Sequence, residues 1–264
     1  MIISDKHRFV FVHIPKCAGS SIRKVLAPYD DYQGWFDGRV DPHPKYGRLD
    51  FVHLPLELLK EVLPKEYEKV TTYDAYALVR APRQRFQSAF AQYVKMYRGI
   101  EIAQMDSARM ESEIASLTET LKAVGKVIPP ELIHFSRQAS FLGDDSGEHV
   151  SNVFPLERID HLLQALSTKV GAPLNSEMRE NQTQVMRFSA LRGPVLQARR
   201  LVKAVMPKAA FDTLRSAGRS VLMRPVQDEI LPVFRTQSVV DFVDEHYALD
   251  FDIYAKAQRE HPAA

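Results

Sequence analysis

The chain has 264 residues, of which 45% are hydrophobic and 26% are charged. This is the composition of a globular protein with one full core, and a formal net charge of +2 is too small to favour nucleic acid as a partner. The only cysteine, Cys17, excludes an intrachain disulfide. The sequence shows neither a signal peptide nor an apolar run long enough to span a membrane. We therefore expect a single domain over residues 1–264, located in the cytoplasm.

Two strand-to-helix junctions are predicted in the first hundred residues. Phe9–Ile14 is rich in β-branched and aromatic residues, which predicts a buried strand, and a helix over about 20–27 follows it. Tyr76–Val79 predicts a second strand, and Pro82 begins a long helix that runs from about Arg83 to Tyr97. Strands that alternate with helices indicate an α/β fold with a parallel sheet at its centre.

The rest of the chain is predicted to be mainly helical. Apolar residues from Met110 to Val124 recur at helical spacing and indicate one amphipathic helix. The other predictions are a loop over 29–50, a short strand at Phe51 and Val52, and helices over Pro55–Leu63 and near 130–142, 159–168, 194–206 and 237–246.

The segment between the first strand and its helix has the composition of a phosphate-binding loop. It reads His13-Ile14-Pro15-Lys16-Cys17-Ala18-Gly19-Ser20-Ser21. The N–H groups at a helix start bind anions, Gly19 allows close approach of the backbone, and Lys16 adds a positive charge. Ser20 and Ser21 supply hydroxyl donors, and either can cap the helix. The lysine precedes the glycine, so this is not a Walker loop. The alternative is an ordinary turn with a surface lysine.

A second cluster of cations lies where the second predicted strand ends. Arg80 is at the carboxyl end of that strand, the edge at which open α/β sheets bind ligands. Ser88 lies about two turns into the following helix and can face the same ligand. Arg83 and Arg85 should point elsewhere, to a solvated face. Two anion sites at two strand ends suit a ligand with two separated phosphate groups.

Together these segments resemble a known family. The patterns Pro-Lys-x-x-Gly-Ser-Ser, from Pro15, and Val-Arg-x-Pro-x-x-Arg-x-x-Ser-Ala-Phe, from Val79, resemble sulfotransferases that use 3′-phosphoadenosine 5′-phosphosulfate (PAPS). The resemblance is nearest to the carbohydrate branch, which includes the heparan sulfate 2-O-sulfotransferases. Weaker likeness continues at 134–142, 154–158 and 240–254. The resemblance implies a P-loop-like, three-layer fold in which helices flank the sheet, PAPS as donor, the nucleotide PAP as product, and no metal.

The resemblance also implies roles for individual residues. The loop that would hold the 5′-phosphosulfate consists of Pro15, Lys16, Cys17, Ala18, Gly19, Ser20 and Ser21. Arg80 and Ser88 would hold the 3′-phosphate. Asn181 and Thr183 resemble a later family segment near the nucleotide.

Sulfuryl transfer needs a cation at the leaving phosphate and a base for the acceptor hydroxyl. Lys16 is the candidate cation, and histidine is suited to act as base near neutral pH. His53 lies at a predicted strand end, and His53-Leu54-Pro55 resembles the family segment that carries the base. A capping or packing role for His53 is the alternative. The other candidate bases are His13, His43 and His134, with Asp50 and Glu57 in reserve.

Two other functions and the identity of the partner remain open at this point. An ATP-dependent phosphotransferase or a non-catalytic nucleotide-binding module would share the fold. The acceptor carries a hydroxyl, and the resemblance favours a saccharide. Residues 192–224 are rich in Arg and Lys and lie in a predicted helical insertion around 186–232. This basic segment is either a solvated surface or a binding surface for an anionic glycan or membrane.

Overall fold

The computed structural model of the chain describes residues 1–174 and 230–262, and the backbone of short strands at 184–186 and 223–225. Some predictions cannot be compared with it. Those outside the described residues are the helix near 194–206, the basic segment 192–224 apart from its last strand residues, and the site residues Asn181 and Thr183.

The chain divides into two compact units. One consists of Met1–Glu180 and Ile230–Ala264, and the other of Asn181–Glu229. In the second unit, Gln184–Met186 pairs antiparallel with Met223–Pro225. All the elements described below belong to the first unit, which contains both of the motif segments.

The helices and strands of the first unit are interspersed along the chain. In order they are β1 Ile2–Ser4, β2 Phe9–Val12, α1 Gly19–Leu26, β3 Val40–His43, β4 Gly47–Asp50, α2 Leu56–Val62, α3 Pro64–Thr72, β5 Asp74–Val79, α4 Pro82–Tyr97, α5 Ser107–Ala123, β6 Gly143–Asp144, β7 Gly147–Glu148, β8 Asn152–Pro155, α6 Ile159–Val170, α7 Gln237–His246 and α8 Ala248–Glu260.

A four-stranded sheet in the order β1-β2-β5-β8 forms the centre of the unit. The strands β2, β5 and β8 are parallel, and β1 pairs antiparallel with β2 at one edge. Every residue of β2 is buried, as expected for a strand covered on both faces. The helices α3, α6 and α8 pack against β5. The predicted α/β fold is thus confirmed, with a mostly parallel sheet flanked by helices.

The apolar side chains form two clusters. One surrounds the sheet and includes Phe9, Phe11 and Leu78. The other joins α4, α5 and α7 around Phe86 and Phe90. Helix α4 therefore packs into the second cluster, while its first turn lies at the end of β5. Among the residues that the structure describes, no helix has both the length and the apolar character needed to cross a membrane.

Several predicted elements are confirmed within a few residues. They are the strands predicted over Phe9–Ile14 and Tyr76–Val79, and the helices predicted over 20–27, 55–63, 83–97, 110–124, 159–168 and 237–246. The segment 240–254, which carries part of the family resemblance, spans two helices, because the backbone breaks at Tyr247 between α7 and α8. The helix α3 was not predicted.

The loop predicted over 29–50 is wrong in its second half. Strands β3 and β4 form an antiparallel hairpin there, and Gly47 adopts a φ of 70° just after the turn. The strand predicted at Phe51 and Val52 is also wrong. A 3₁₀ turn spans Phe51–His53, because the Asp50 carboxylate accepts a hydrogen bond from the N–H of Val52 at 2.9 Å. His53 therefore ends a tight turn and not a strand.

The helix predicted near 130–142 is wrong too. Two 3₁₀ turns, Ile133–Phe135 and Gln138–Phe141, take its place, with extended backbone between them. Arg85 donates to two main-chain carbonyls of the first turn region, at 3.1 and 2.6 Å. Asp250 accepts two N–H groups at the start of the second turn, at 2.8 and 3.0 Å. These contacts from α4 and α8 replace the hydrogen bonds of a continuous helix.

Candidate functional site

The two motif segments meet at one edge of the sheet. Val12 pairs with Ala77, and Val79 pairs with Pro155, so β2, β5 and β8 end at the same side. The predicted phosphate loop follows β2, and Arg80 follows β5 directly. As predicted, the two cationic segments are neighbours at the carboxyl edge, where α/β sheets bind ligands.

The loop after β2 has an unusual backbone. Lys16 and Ala18 have φ values of 66° and 56°, in the left-handed region that non-glycine residues rarely adopt. Helix α1 begins at Gly19 with Ala18 as its N-cap and no side-chain cap, and the N–H of Ser21 donates to the Ala18 carbonyl at 2.9 Å. Capping by Ser20 or Ser21 was therefore a wrong prediction, since both lie inside the first turn. Backbone strain of this kind is often stored at ligand-binding and active sites, so the loop is a candidate for such a site.

Gly19 is required because an imidazole ring lies against it. A Cβ atom at this position would lie 1.8 Å from Cδ2 of His13. No side chain fits there unless the ring moves. The glycine therefore fixes how closely α1 approaches the end of β2, and it seats His13 beside the phosphate loop.

Lys16 is held between the loop and α4. Its ammonium group donates a hydrogen bond to Oε1 of Gln92. Burial, together with the nearby charge of Arg80, lowers the pKa of Lys16 to about 8. Ser88 precedes Gln92 by one helical turn and lies on the same side of α4. The structure thus brings Lys16 close to Arg80, and Ser88 lies on the side of α4 that meets Lys16 through Gln92. An anion between the two cations would relieve their repulsion, so the site fits a phosphorylated ligand.

The Cys17 thiol does not face a ligand. It is buried, and Sγ lies 3.3 Å from Oε1 of Gln138 and 3.5 Å from the Pro15 carbonyl. Burial raises the pKa of the Cys17 thiol to about 12, so the group is neutral at physiological pH. The residue packs beneath the loop, and only its main chain remains available to an anion.

Arg85 was predicted to lie on a solvated face, and that prediction is wrong. Its side chain is 1% exposed and lies 3.6 Å from Asp250, which is fully buried. Arg83 does lie at the surface, where it forms an ion pair with Asp244 at 2.6 Å. Helical position alone does not distinguish the two arginines, because the acid that pairs with Arg85 comes from α8.

Three histidine rings lie together beside the loop that follows β2, in tilted and edge-to-face contact. The His53 ring lies 4.6 Å from that of His13 and 5.4 Å from that of His134, between ring centres. Nδ1 of His53 lies 3.0 Å from Oδ2 of Asp50. His43 is instead stacked on Tyr46 at the turn end of the β3–β4 hairpin. The histidine cluster, defined as His13, His53 and His134, thus holds three of the four candidate histidine bases.

Burial keeps the histidine cluster neutral. It lowers the pKa of His53, although the Asp50 carboxylate opposes this effect. Burial also lowers the pKa of His134 to about 3, helped by His53 and Lys16, and holds the pKa of His13 well below its usual value. A neutral imidazole is a proton acceptor, so the cluster is suited to general base chemistry.

The carboxylates held in reserve have other partners. Burial raises the pKa of Asp50, but hydrogen bonds from His53 and from the N–H of Val52 outweigh this effect and lower the pKa overall. Glu57 forms an ion pair with Lys126. Among the described residues, no group of His, Cys, Asp and Glu is arranged to hold a metal ion.

The sequence reasoning did not name Gln92 as a site residue, named Asp50 only as a reserve base, and included Gln138 only within the segment 134–142. Gln92 contacts Lys16, and its position one turn after Ser88 was a usable signal. Asp50 holds His53, and the spacing Asp-x-x-His before Pro55 is typical of a side chain that reaches back within one turn. Gln138 bonds to the main chain of Arg80, a contact that the likeness at 134–142 did not predict, because the two residues lie far apart in the sequence.

Comparison with known proteins bears on the class of this site. A protein-family model with the description "Sulfotransferase family" matches residues 1–256 of the chain. No curated protein and no solved structure matches the chain.

Proposed function

Because this chain belongs to the sulfotransferase family, we propose that it transfers the sulfuryl group of PAPS to a hydroxyl of a saccharide. One observation carries the proposal. A strained loop with a partly buried lysine lies at the carboxyl edge of the sheet, together with a buried arginine, Arg80, and a histidine bonded to a carboxylate. An anion site beside a base is what transfer of a sulfuryl group from a phosphate oxygen to a hydroxyl requires.

The two ends of the donor have different partners in this proposal. The 5′-phosphosulfate is bound by the loop, namely Pro15, Lys16, Cys17, Ala18, Gly19, Ser20 and Ser21. The N–H groups at the start of α1 and the Lys16 ammonium are its donors. Arg80 and Ser88 bind the 3′-phosphate, which is supported by the approach of α4 to the loop through Gln92. Asn181 and Thr183 are proposed as further nucleotide contacts.

The chemistry follows from the charges of these residues. His53 accepts the proton of the acceptor hydroxyl at Nε2, while the hydroxyl oxygen forms a bond to sulfur. The bond between sulfur and the phosphate oxygen breaks, and its electron pair stays on the phosphate of PAP. Lys16 neutralises the negative charge that grows on this phosphate. We propose no metal in this reaction.

The acceptor is the least constrained part of the proposal. A saccharide is favoured because the segments that begin at Pro15 and Val79 resemble those of the carbohydrate branch, in particular the heparan sulfate 2-O-sulfotransferases. We also propose that the basic segment 192–224 binds an anionic glycan or membrane surface. Substitution of Arg199, Arg200 and Lys203 by Glu should then raise the acceptor KM without a change in the KM of PAPS.

The proposal is tested first by nucleotide binding. PAP should raise the melting temperature in the absence of magnesium, because a ligand that binds only the folded state stabilises it. Stabilisation by ATP with magnesium, and not by PAP, would support a phosphotransferase instead. A screen of saccharides, phenols, alcohols and lipids with labelled PAPS then identifies the acceptor. PAP binding without turnover of any acceptor would indicate a non-catalytic binding module.

A further inference from the structure

The Asp50 side chain makes two hydrogen bonds with its two oxygen atoms. Oδ1 accepts the N–H of Val52 at 2.9 Å and so caps the turn Phe51–His53. Oδ2 lies 3.0 Å from Nδ1 of His53. One carboxylate therefore both builds the turn that carries His53 and contacts the imidazole at the end of that turn. A cap alone needs only the first of these contacts.

The second contact determines which nitrogen of His53 carries the proton. The hydrogen bonds from His53 and Val52 keep the pKa of Asp50 low despite its burial, so the side chain is an ionised acceptor at neutral pH. An ionised carboxylate cannot donate, so Nδ1 of His53 must be the protonated nitrogen. Nε2 then has a free lone pair, and it is the atom able to accept a proton.

Among the neighbours of His53, Asp50 favours the charged form of the imidazole, whereas the Met1 amino group and Arg23 disfavour it. The groups that face it are Asp50 in its own turn, His13 after β2, His134 in the turn before Gln138, Arg23 on α1 and the amino group of Met1. Asp50 is the one that raises the pKa of His53. Among the described residues, Nδ1 of His13 has no hydrogen-bond partner, so the neighbouring ring has no carboxylate of its own.

We propose that Asp50 is a positioning residue for the sulfuryl transfer, which holds His53 in the tautomer whose Nε2 takes the acceptor proton. The proposal rests on the proposed role of His53 as base. When the proton arrives on Nε2, the imidazolium keeps its Nδ1–H bond to the Asp50 carboxylate. The carboxylate remains ionised and stabilises the new charge.

Two substitutions separate this role from capping. Asp50→Asn and Asp50→Ser both keep a side-chain oxygen that can cap the N–H of Val52. In Asp50→Asn the amide NH₂ faces Nδ1 and favours the opposite tautomer, with the proton on Nε2. We expect kcat to fall by about 100-fold, within the range that general base catalysis supplies. PAP affinity and melting temperature should stay near wild type. Asp41→Asn is the matched control, because Asp41 lies on the same hairpin and its carboxylate forms an ion pair with Arg39 at the surface.

The pH profile provides a readout that a structural role would not change. Loss of the negative charge at position 50 lowers the pKa of His53 further, because Asp50 is the group that favours the imidazolium. The acidic limb of kcat/KM should therefore move to lower pH in Asp50→Asn and Asp50→Ser, and stay in place in Asp41→Asn. If kcat, PAP affinity and melting temperature instead fall together with no shift of this limb, Asp50 is only a cap.

A double-mutant comparison separates this inference from the proposed function. If Asp50 acts through His53, then Asp50→Asn should have little effect on kcat in a His53→Ala background, since residues that act as a unit are not additive. Normal kcat in His53→Ala alone would reject His53 as the base, and with it both proposals. A large loss in His53→Ala with normal kcat in Asp50→Asn would reject only the role of Asp50.

Discussion

The side chain of Gln138 pairs with the main chain of Arg80 as a neighbouring strand would. Its Nε2 donates to the Arg80 carbonyl and its Oε1 accepts the Arg80 N–H, each at 2.9 Å. The same oxygen also faces Sγ of Cys17 at 3.3 Å. A buried amide thus ties the end of β5 to the phosphate loop, and so connects the two cationic segments of the site.

We expect Gln138→Leu to destabilise the protein by about 2–4 kcal/mol. The substitution leaves the N–H and C=O of Arg80 without this partner in the interior, and each unsatisfied buried group costs about 1–3 kcal/mol. Unfolding by urea measures the effect. Gln164→Leu, an exposed glutamine on α6, is the control and should change the free energy of unfolding by less than about 0.5 kcal/mol. If Gln138→Leu and Gln164→Leu change the free energy of unfolding equally, then the hydrogen bonds of the Gln138 amide do not stabilise the protein.

The strands and helices around the site could be predicted because their signals are local. The apolar runs of β2 and β5, and Pro82 at the start of α4, lie within the elements that they define. The turns around His134 and Gln138 could not be predicted in this way. Their geometry depends on Arg85 and Asp250, which come from α4 and α8 and pair with each other in the interior.

The candidate site shows the same division. The positions of Lys16, Gly19 and Arg80 followed from the order of strand, loop and helix. The contact between His53 and His13 did not, because it depends on how a hairpin and a tight turn fold back over the end of β2.

Lys16→Ala should lower kcat by about 100-fold or more, because a preorganised charge at a leaving group contributes several kcal/mol to the barrier. The melting temperature should not fall, since burial already disfavours the charged form of this lysine. The measurement is kcat at saturating PAPS and acceptor, together with the melting temperature. Lys24→Ala removes an exposed lysine of the same helix region and should leave kcat unchanged. Near-normal kcat in Lys16→Ala would contradict the mechanism.

PAP affinity should fall as the pH rises through about 8. The pKa of Lys16 is lowered to about 8 without ligand, and a bound phosphate favours the charged form. Below about pH 8 the lysine is already charged and affinity is constant, whereas above it binding must take up a proton. Titration calorimetry from about pH 7.5 to about pH 9.5 measures this, in a range where the phosphates of PAP no longer titrate. Lys16→Arg keeps its charge throughout and should give a flatter profile. If PAP affinity depends on pH in the same way in the wild type and in Lys16→Arg, then Lys16 does not contact the phosphates.

Arg80→Ala should distinguish ligands by their 3′-phosphate. Loss of a charge-assisted contact is expected to weaken PAP by roughly tenfold to 100-fold, with a much smaller effect on adenosine 5′-phosphosulfate, which lacks that phosphate. Dissociation constants for both nucleotides provide the measurement. Arg83→Ala is the control, since Arg83 pairs with Asp244 at the surface. Equal weakening of both ligands in Arg80→Ala would assign Arg80 a structural role.

Gly19→Ala should disturb the histidine cluster without any change to its histidines. The new Cβ would overlap the His13 ring, at 1.8 Å from Cδ2, and the ring must move away from His53. We expect a loss of about 1–3 kcal/mol in the free energy of unfolding, as for overpacking elsewhere, and a lower kcat. Gly125→Ala is the control, because no atom of the residues that the structure describes lies within 4 Å of a Cβ at that position.

A double-mutant cycle tests whether the loss of stability in Gly19→Ala arises from the contact between the new Cβ and the His13 ring. In a His13→Ala background the space that the Cβ needs is already empty, so Gly19→Ala should destabilise the protein less than it does alone. The difference is the coupling energy, which for residues in contact is typically about 0.5–3 kcal/mol. If Gly19→Ala lowers the free energy of unfolding by the same amount in the wild-type and His13→Ala backgrounds, the glycine is needed for the backbone of the loop and not to make room for the His13 ring. In that case kcat should also fall equally in the two backgrounds.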